Sequence, residues 1–207
     1  MPVSGEKRRY HKKQRAADEE QTRRRITEAT VALHETVGPA RTTVKAVAER
    51  AGVQRATVYR HFPDEGALYA ACQAHWLARQ GRPDPAPWGA IADPEERMRA
   101  ALPALYGFYR GGEPMIANLF RDEPHVETLG HMVPAMRAEL AGIAELLMKG
   151  RRERGRRRVR VAAAVAHAVD FDAWRSLAGR GLDDGEIADL MVGLVRAAAA
   201  PRGKLPA

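Results

Sequence analysis

The chain has 207 residues and a formal charge of +8, from 34 Lys and Arg against 26 Asp and Glu, a length that suits one large domain or two small ones. Residues 1–61 carry 14 basic and 7 acidic side chains and the remainder 20 and 19, so the N-terminal third is the part expected to meet a polyanion. Apolar runs such as Val161 to Ala166 fall far short of the ~20 residues of a membrane helix, no apolar leader opens the chain, and the single cysteine, Cys72, excludes an internal disulfide or a Cys-rich zinc module. A soluble, cytoplasmic, globular protein is expected.

In chain order, residues 1–17 gather Lys7, Arg8, Arg9, Lys12, Lys13 and Arg15 around one acid, Glu6, and read as a flexible basic arm. Asp18 with Gln21 forms a candidate capping box. Ile26, Ala29, Thr30, Leu33 and Val37 then recur at helical spacing until Gly38-Pro39. Thr42 or Thr43 is placed to cap a short helix carrying Val44, Val47, Ala48 and Ala51 and ending at Gly52. A second short helix carries Val58 and Phe62, and Asp64 opens a third with Leu68, Cys72, His75 and Trp76 on one side. Residues 81–94 hold four of the thirteen prolines and read as a linker. Asp93-Pro94-Glu95-Glu96 opens a helix with Met98, Ala101, Leu102, Leu105 and Tyr109, in which Pro103 predicts a kink. Gly111-Gly112 leads to a short segment ending at Phe120, and a helix through Met136, Leu140, Ile143 and Leu147 follows. One long helix is expected from Arg157 to about Leu177. Asp183 and Glu186 cap a last stripe of Ile187, Leu190, Met191, Leu194 and Ala198. No period-2 alternation is sustained, so the fold class is all-α.

The stretch from Val44 to Phe62, VKAVAERAGVQRATVYRHF, carries the functional signal. Two short helices meet at Gly52, where a left-handed residue is wanted, and the small Ala48 and branched Val58 allow close packing. That is helix-turn-helix spacing. With Val58 buried, Ala56 and Arg60 fall on the opposite side, flanked by Thr57 and Tyr59, and Gln54 sits at the N-terminus. The exposed face combines a small residue, an arginine able to bond guanine or phosphate, and hydroxyls, with no carboxylate from Gln54 to Phe62.

Residues about 22–76 resemble the DNA-binding domain of the TetR family of bacterial transcription regulators, on the segments RRRITEATVALHETVG and TTVKAVAERAGVQRATVYRHFPDEGALY and on Trp76. The resemblance implies a helix-turn-helix domain over 18–62, a connecting helix over 63–80 and a helical dimerisation and effector-binding domain over 81–207. By position in the family motif, Thr43, Gln54, Thr57, Tyr59 and His61 would contact phosphate or backbone, and Arg55, Ala56 and Arg60 would lie nearest base edges, with Tyr59 a further candidate there. Glu65 and Gly66 depart from the family's Lys-Glu at the start of the fourth helix, exchanging a cation for an anion, and His34 replaces the common aromatic of the first helix.

Other features have plainer readings. The Arg-rich run from Arg151 to Arg160 reads as a solvated loop, and Cys72 as a small core residue. The histidines lack metal-ligand spacing, and no catalytic constellation, metal site or cofactor motif stands out. Leu105, Tyr109, Phe120, Met136, Leu140 and Trp174 could line a pocket for a small hydrophobic or aromatic effector, with Asp170 or His167 as polar anchors, or could fill an ordinary core. The expected molecule is a homodimer joined through faces such as Val161, Val165, Ala168, Leu190 and Leu194, not an enzyme, that leaves a near-palindromic double-stranded DNA operator when the effector binds. The rival reading is a helical ligand-binding protein or enzyme with an inert DNA-binding remnant.

Overall fold

The computed structural model describes the backbone of residues 4–201 and the side chains of residues 9–201. Every regular element among the described residues is helical. The α-helices are α1 (Ser4–Thr36), α2 (Val44–Ala51), α3 (Arg55–His61), α4 (Glu65–Gln80), α5 (Ala86–Gly89), α6 (Pro94–Asp122), α7 (Leu129–Met148), α8 (Gly155–Ala168), α9 (Phe171–Ala178) and α10 (Asp184–Ala199), and short 3-10 turns lie at Pro39–Arg41 and Glu123–His125. No described helix is long and apolar enough to cross a membrane. The chain forms two compact units, one of residues up to Arg79 with Pro114–His131, the other of Gln80–Glu113 with the residues from Met132 onward.

The first unit is built on an apolar stripe. Ile26 and Ala29 of α1 pack with Val47, Ala48 and Ala51 of α2, Val58 of α3, Phe62, and Leu68 of α4. Thr43 caps α2 by accepting a hydrogen bond from the Ala46 N–H at 3.1 Å, and Asp64 caps α4 through the Ala67 N–H at 2.7 Å, each satisfying a donor the helix start leaves open. The C-terminus of α1 is held from a distance in sequence. Asn118 donates to the His34 and Glu35 carbonyls at 2.7 and 3.0 Å. The Ala40 N–H donates to Asp122 at 3.0 Å, and Arg121 reaches the Val37 carbonyl. Gly38, at φ 89, leaves room for the Arg121 and Asp122 side chains, which a Cβ there would strike.

The second unit packs α8 against α10, with α9 against both. Its centre is aromatic: Tyr109 meets Phe171 edge-on at 5.4 Å between centroids and Trp174 at 5.6 Å. Polar tips are satisfied, Tyr106 on the Ala168 carbonyl (2.7 Å), Tyr109 on the Val169 carbonyl (2.6 Å) and Trp174 on Asp184 (3.0 Å). Burial pushes both tyrosine hydroxyls well above the usual range. Arg97, almost fully buried, donates to the carbonyls of Ile91, Leu146 and Lys149 and so ties the Pro-rich segment to the end of α7. Asp183 and Glu186 form the capping box that their spacing predicts.

Four local expectations are corrected. The helix starts at Ser4, inside the segment read as a flexible arm, and runs through Asp18 without a cap. Lys, Arg, Gln, Ala and Glu are good helix formers, and extending an existing helix needs no new nucleus. α6 is one element from Pro94 to Asp122 across Pro103, Gly111-Gly112 and Pro114. The expected single helix from Arg157 to Leu177 is two: α8 begins at Gly155 and ends at Ala168, and Asp170 caps α9 by accepting from the Ala173 N–H at 2.8 Å. That bond gives Asp170 a capping role. The Arg-rich run is a short loop whose later residues form the exposed first turns of α8.

Candidate nucleic-acid interface

Gly52 ends α2 in the left-handed region at φ 64, ψ 39. Beyond it, the Val53 N–H bonds back to the Ala48 carbonyl at 3.0 Å, a tight reversal that only a residue without a Cβ adopts freely. The chain leaves this turn into α3 with Gln54 at the N-cap, its side chain not spent on capping. Val58 is sealed at 1% exposure and Tyr59, one residue on, is 50% exposed. Gln54, Arg55, Ala56 and Arg60 are also exposed and Thr57 is half-buried. A rotation of 100° per residue separates the packing side from a side of two guanidiniums, a phenol and a small residue.

Not every expected contact residue faces outward. His61 is half-buried with Nε2 enclosed, and only its carbonyl has a clear role, accepting from Arg23 at 2.9 Å. Thr43 is exposed; its oxygen is taken by the cap, and its hydroxyl proton is left to donate outward. Arg23 is the positioning residue that sequence reading missed. It fixes the end of α3 and lays its guanidinium over the Phe62 ring at 4.3 Å. The only sequence signal was an arginine in the run before Ile26, with nothing to pick it out from its neighbours.

Glu65 begins α4, where an acid suits the positive helix end, and its carboxylate accepts from Thr128 at 3.4 Å. An open cavity of about 250 Å³ between α1 and the helix-turn-helix is walled by His34, Val47, Val58, Tyr59, Phe62 and Tyr69, among others. Burial lowers the His34 imidazole to about 4 against a smaller opposing pull from Asp122, and pushes the Cys72 thiol up to about 12. The two side chains meet at 3.5 Å. Burial alone would also raise Asp122, but Arg121 and the Ala40 N–H outweigh it and hold the carboxyl below its usual range.

The model of the bacterial regulatory proteins of the TetR family matches residues 26–72, the segment that holds this geometry. Those residues are similar to the DNA-binding segment of that family. The fold agrees: a TetR-like transcriptional regulator from Rhodococcus sp. RHA1 is 22% identical, covering 87% of this chain and 97% of its own, with a TM-score of 0.61. A TetR transcription regulator from Haloarcula marismortui ATCC 43049 is 19% identical over 87% and 96%, with a TM-score of 0.53. A protein of Clostridium perfringens is 14% identical over 86% and 100%, with a TM-score of 0.62. No curated protein matches.

The six residues considered for an effector pocket do not share one environment. Leu105, Tyr109 and Trp174 are sealed in the aromatic centre of the second unit. Met136 and Leu140 are half-buried on α7, and Phe120 lies in the first unit, half-buried. His167 is exposed. Among the described residues no cluster of three His, Cys, Asp or Glu could hold a metal.

Proposed function

We propose that this chain is a homodimeric repressor of the TetR family, whose α3 reads the major groove of a near-palindromic operator and whose second unit answers a small hydrophobic effector. The exposed face of α3 carries the reading. Arg55 and Arg60 can make bidentate bonds to guanine or grip phosphates, Tyr59 and Thr57 can donate to phosphates, and Ala56 permits close approach. Gln54 and Thr43 flank that face as backbone contacts.

Dimerisation is supported by apolar surface on α8 and α10. Val159 is 56%, Leu190 53% and Leu194 43% exposed, whereas Val161, Val165 and Ala168, also expected at the interface, are buried within the chain and belong to its core. A two-fold dimer sets the recognition helices about 34–36 Å apart or a multiple of it. The effector reading is supported by the incomplete cover on α7, where Met132, Met136, Leu140 and Ile143 form an apolar stripe only partly shielded from solvent. To release DNA, the effector must favour the dimer arrangement that fits the operator less well.

The test is selection of bound fragments from random duplexes, followed by a mobility shift at several salt concentrations. Enrichment of an inverted repeat whose complex survives moderate salt supports the proposal. Binding that is equal for all sequences and vanishes at moderate salt overturns it.

A further inference from the structure

The basic residues before Asp18 lie on a helix, and their rotational position is tied to the recognition helix. Arg23 of α1 donates to the last residue of α3, His61, at 2.9 Å and covers the Phe62 ring, so its side of α1 is the side facing the C-terminal end of α3. Lys12 precedes Arg23 by eleven residues and Arg9 by fourteen, which at 100° per residue returns both to within about 40° of that side, with Lys13 within about 80°. At 1.5 Å per residue the cations stand roughly 15 to 21 Å along the axis from Arg23. All three are exposed. Two acids, Glu19 and Glu20, share the face nearer α3, and none among the described residues lies on it beyond Ala16.

We propose that Arg9, Lys12 and Lys13 form a second DNA contact, a helical stripe that grips duplex phosphates outside the base pairs read by α3. This rests on α3 being the recognition element and deepens it by naming a further part of the footprint. Several observations meet here: a stripe of like charge with no described partner, continuity with the α3 face through Arg23, and a polyanionic ligand already required by the domain. A stripe held on a helix loses less freedom on binding than a free tail. The stripe meets phosphates, so it adds affinity and salt dependence without adding sequence preference. It also offers a counterweight to Glu65, which stands where the family carries a cation.

The full-length triple variant Arg9→Gln, Lys12→Gln, Lys13→Gln tests this against wild type on the selected operator and on an unrelated duplex. The expected result is weaker binding by a similar factor on both, and a salt slope flatter by about 0.9 for each phosphate that is no longer neutralised. Helix content by circular dichroism should be unchanged. Neutral methylphosphonates in the operator flanks should weaken wild type and leave the variant unmoved, and Lys12→Arg with Lys13→Arg should bind as wild type does. A variant with the wild-type slope and affinity overturns the stripe while leaving α3 as the reader. Wild-type protein that binds no duplex overturns both. A variant that loses only binding to vesicles of anionic lipid, with its duplex slope intact, overturns the stripe in favour of a membrane surface.

Discussion

Tyr59 and Arg60 sit one and two residues beyond Val58, which is sealed in the core while Tyr59 is half exposed, so truncating either removes surface chemistry without opening a cavity. Tyr59→Ala and Arg60→Ala should each weaken specific operator binding by about 1–3 kcal/mol, roughly 5- to 150-fold. The mass in gel filtration should stay that of the wild type, and unchanged operator affinity in both variants would mean that α3 presents another face. His34 belongs to a different problem. Its imidazole titrates near 6.5 in an unfolded chain and near 4 in the fold, mainly because it is buried. The unfolded state therefore binds the extra proton between those values, and the stability of neutral His34 is present above pH 6.5 and lost as pH falls toward 4. The whole window is worth up to roughly 3 kcal/mol. His34→Phe should flatten that acid slope in urea midpoints measured at pH 7 and pH 4.5; an unaltered slope would put the acid sensitivity elsewhere.

At the scale of the element, local chemistry decides some boundaries and distant partners decide others. Thr43, Asp64 and the Asp183–Glu186 box lie where their spacing places them because a cap is made by the residue beside the helix it caps. The end of α1 is different: its last carbonyls are met by Asn118, 84 and 83 residues away. Asn118→Ala should cost about 1–3 kcal/mol in equilibrium unfolding, the usual cost of leaving a partly buried acceptor unmet. Asn118→Asp should cost at least as much, since a carboxylate has no proton to give. An Asn118→Ala protein as stable as wild type would show that solvent replaces the amide fully. α6 shows the converse, because Pro103, Gly111-Gly112 and Pro114 are breakers by propensity and yet the helix runs through them. Tertiary packing of Leu102, Leu105, Tyr106, Tyr109, Met115 and Ile116, all sealed, outweighs a propensity cost of about 1 kcal/mol per glycine and about 3 per interior proline.

For the molecule as a whole, the informative surface is apolar. Val159, Leu190 and Leu194 stand exposed on α8 and α10, the surface that the proposed dimer would cover. The double variant Leu190→Glu, Leu194→Glu should shift gel filtration and sedimentation to the monomer and abolish cooperative operator binding, because burying two carboxylates opposite their own copies is costly. A variant that stays dimeric would move the interface to another face.

What the amino-acid order determined by itself was local. It set the helical period, most caps, the αL turn at Gly52 and the alternation between packed Val58 and open Arg60, because each depends on residues within a few positions of one another. Only the tertiary structure decided which apolar positions are core and which are free, so that Val161 and Val165 turned inward and Leu190 and Leu194 outward. It also brought Arg23 to His61 and Asn118 to the end of α1. Those outcomes depend on what stands opposite a side chain after folding, and no spacing along the chain encodes that neighbour.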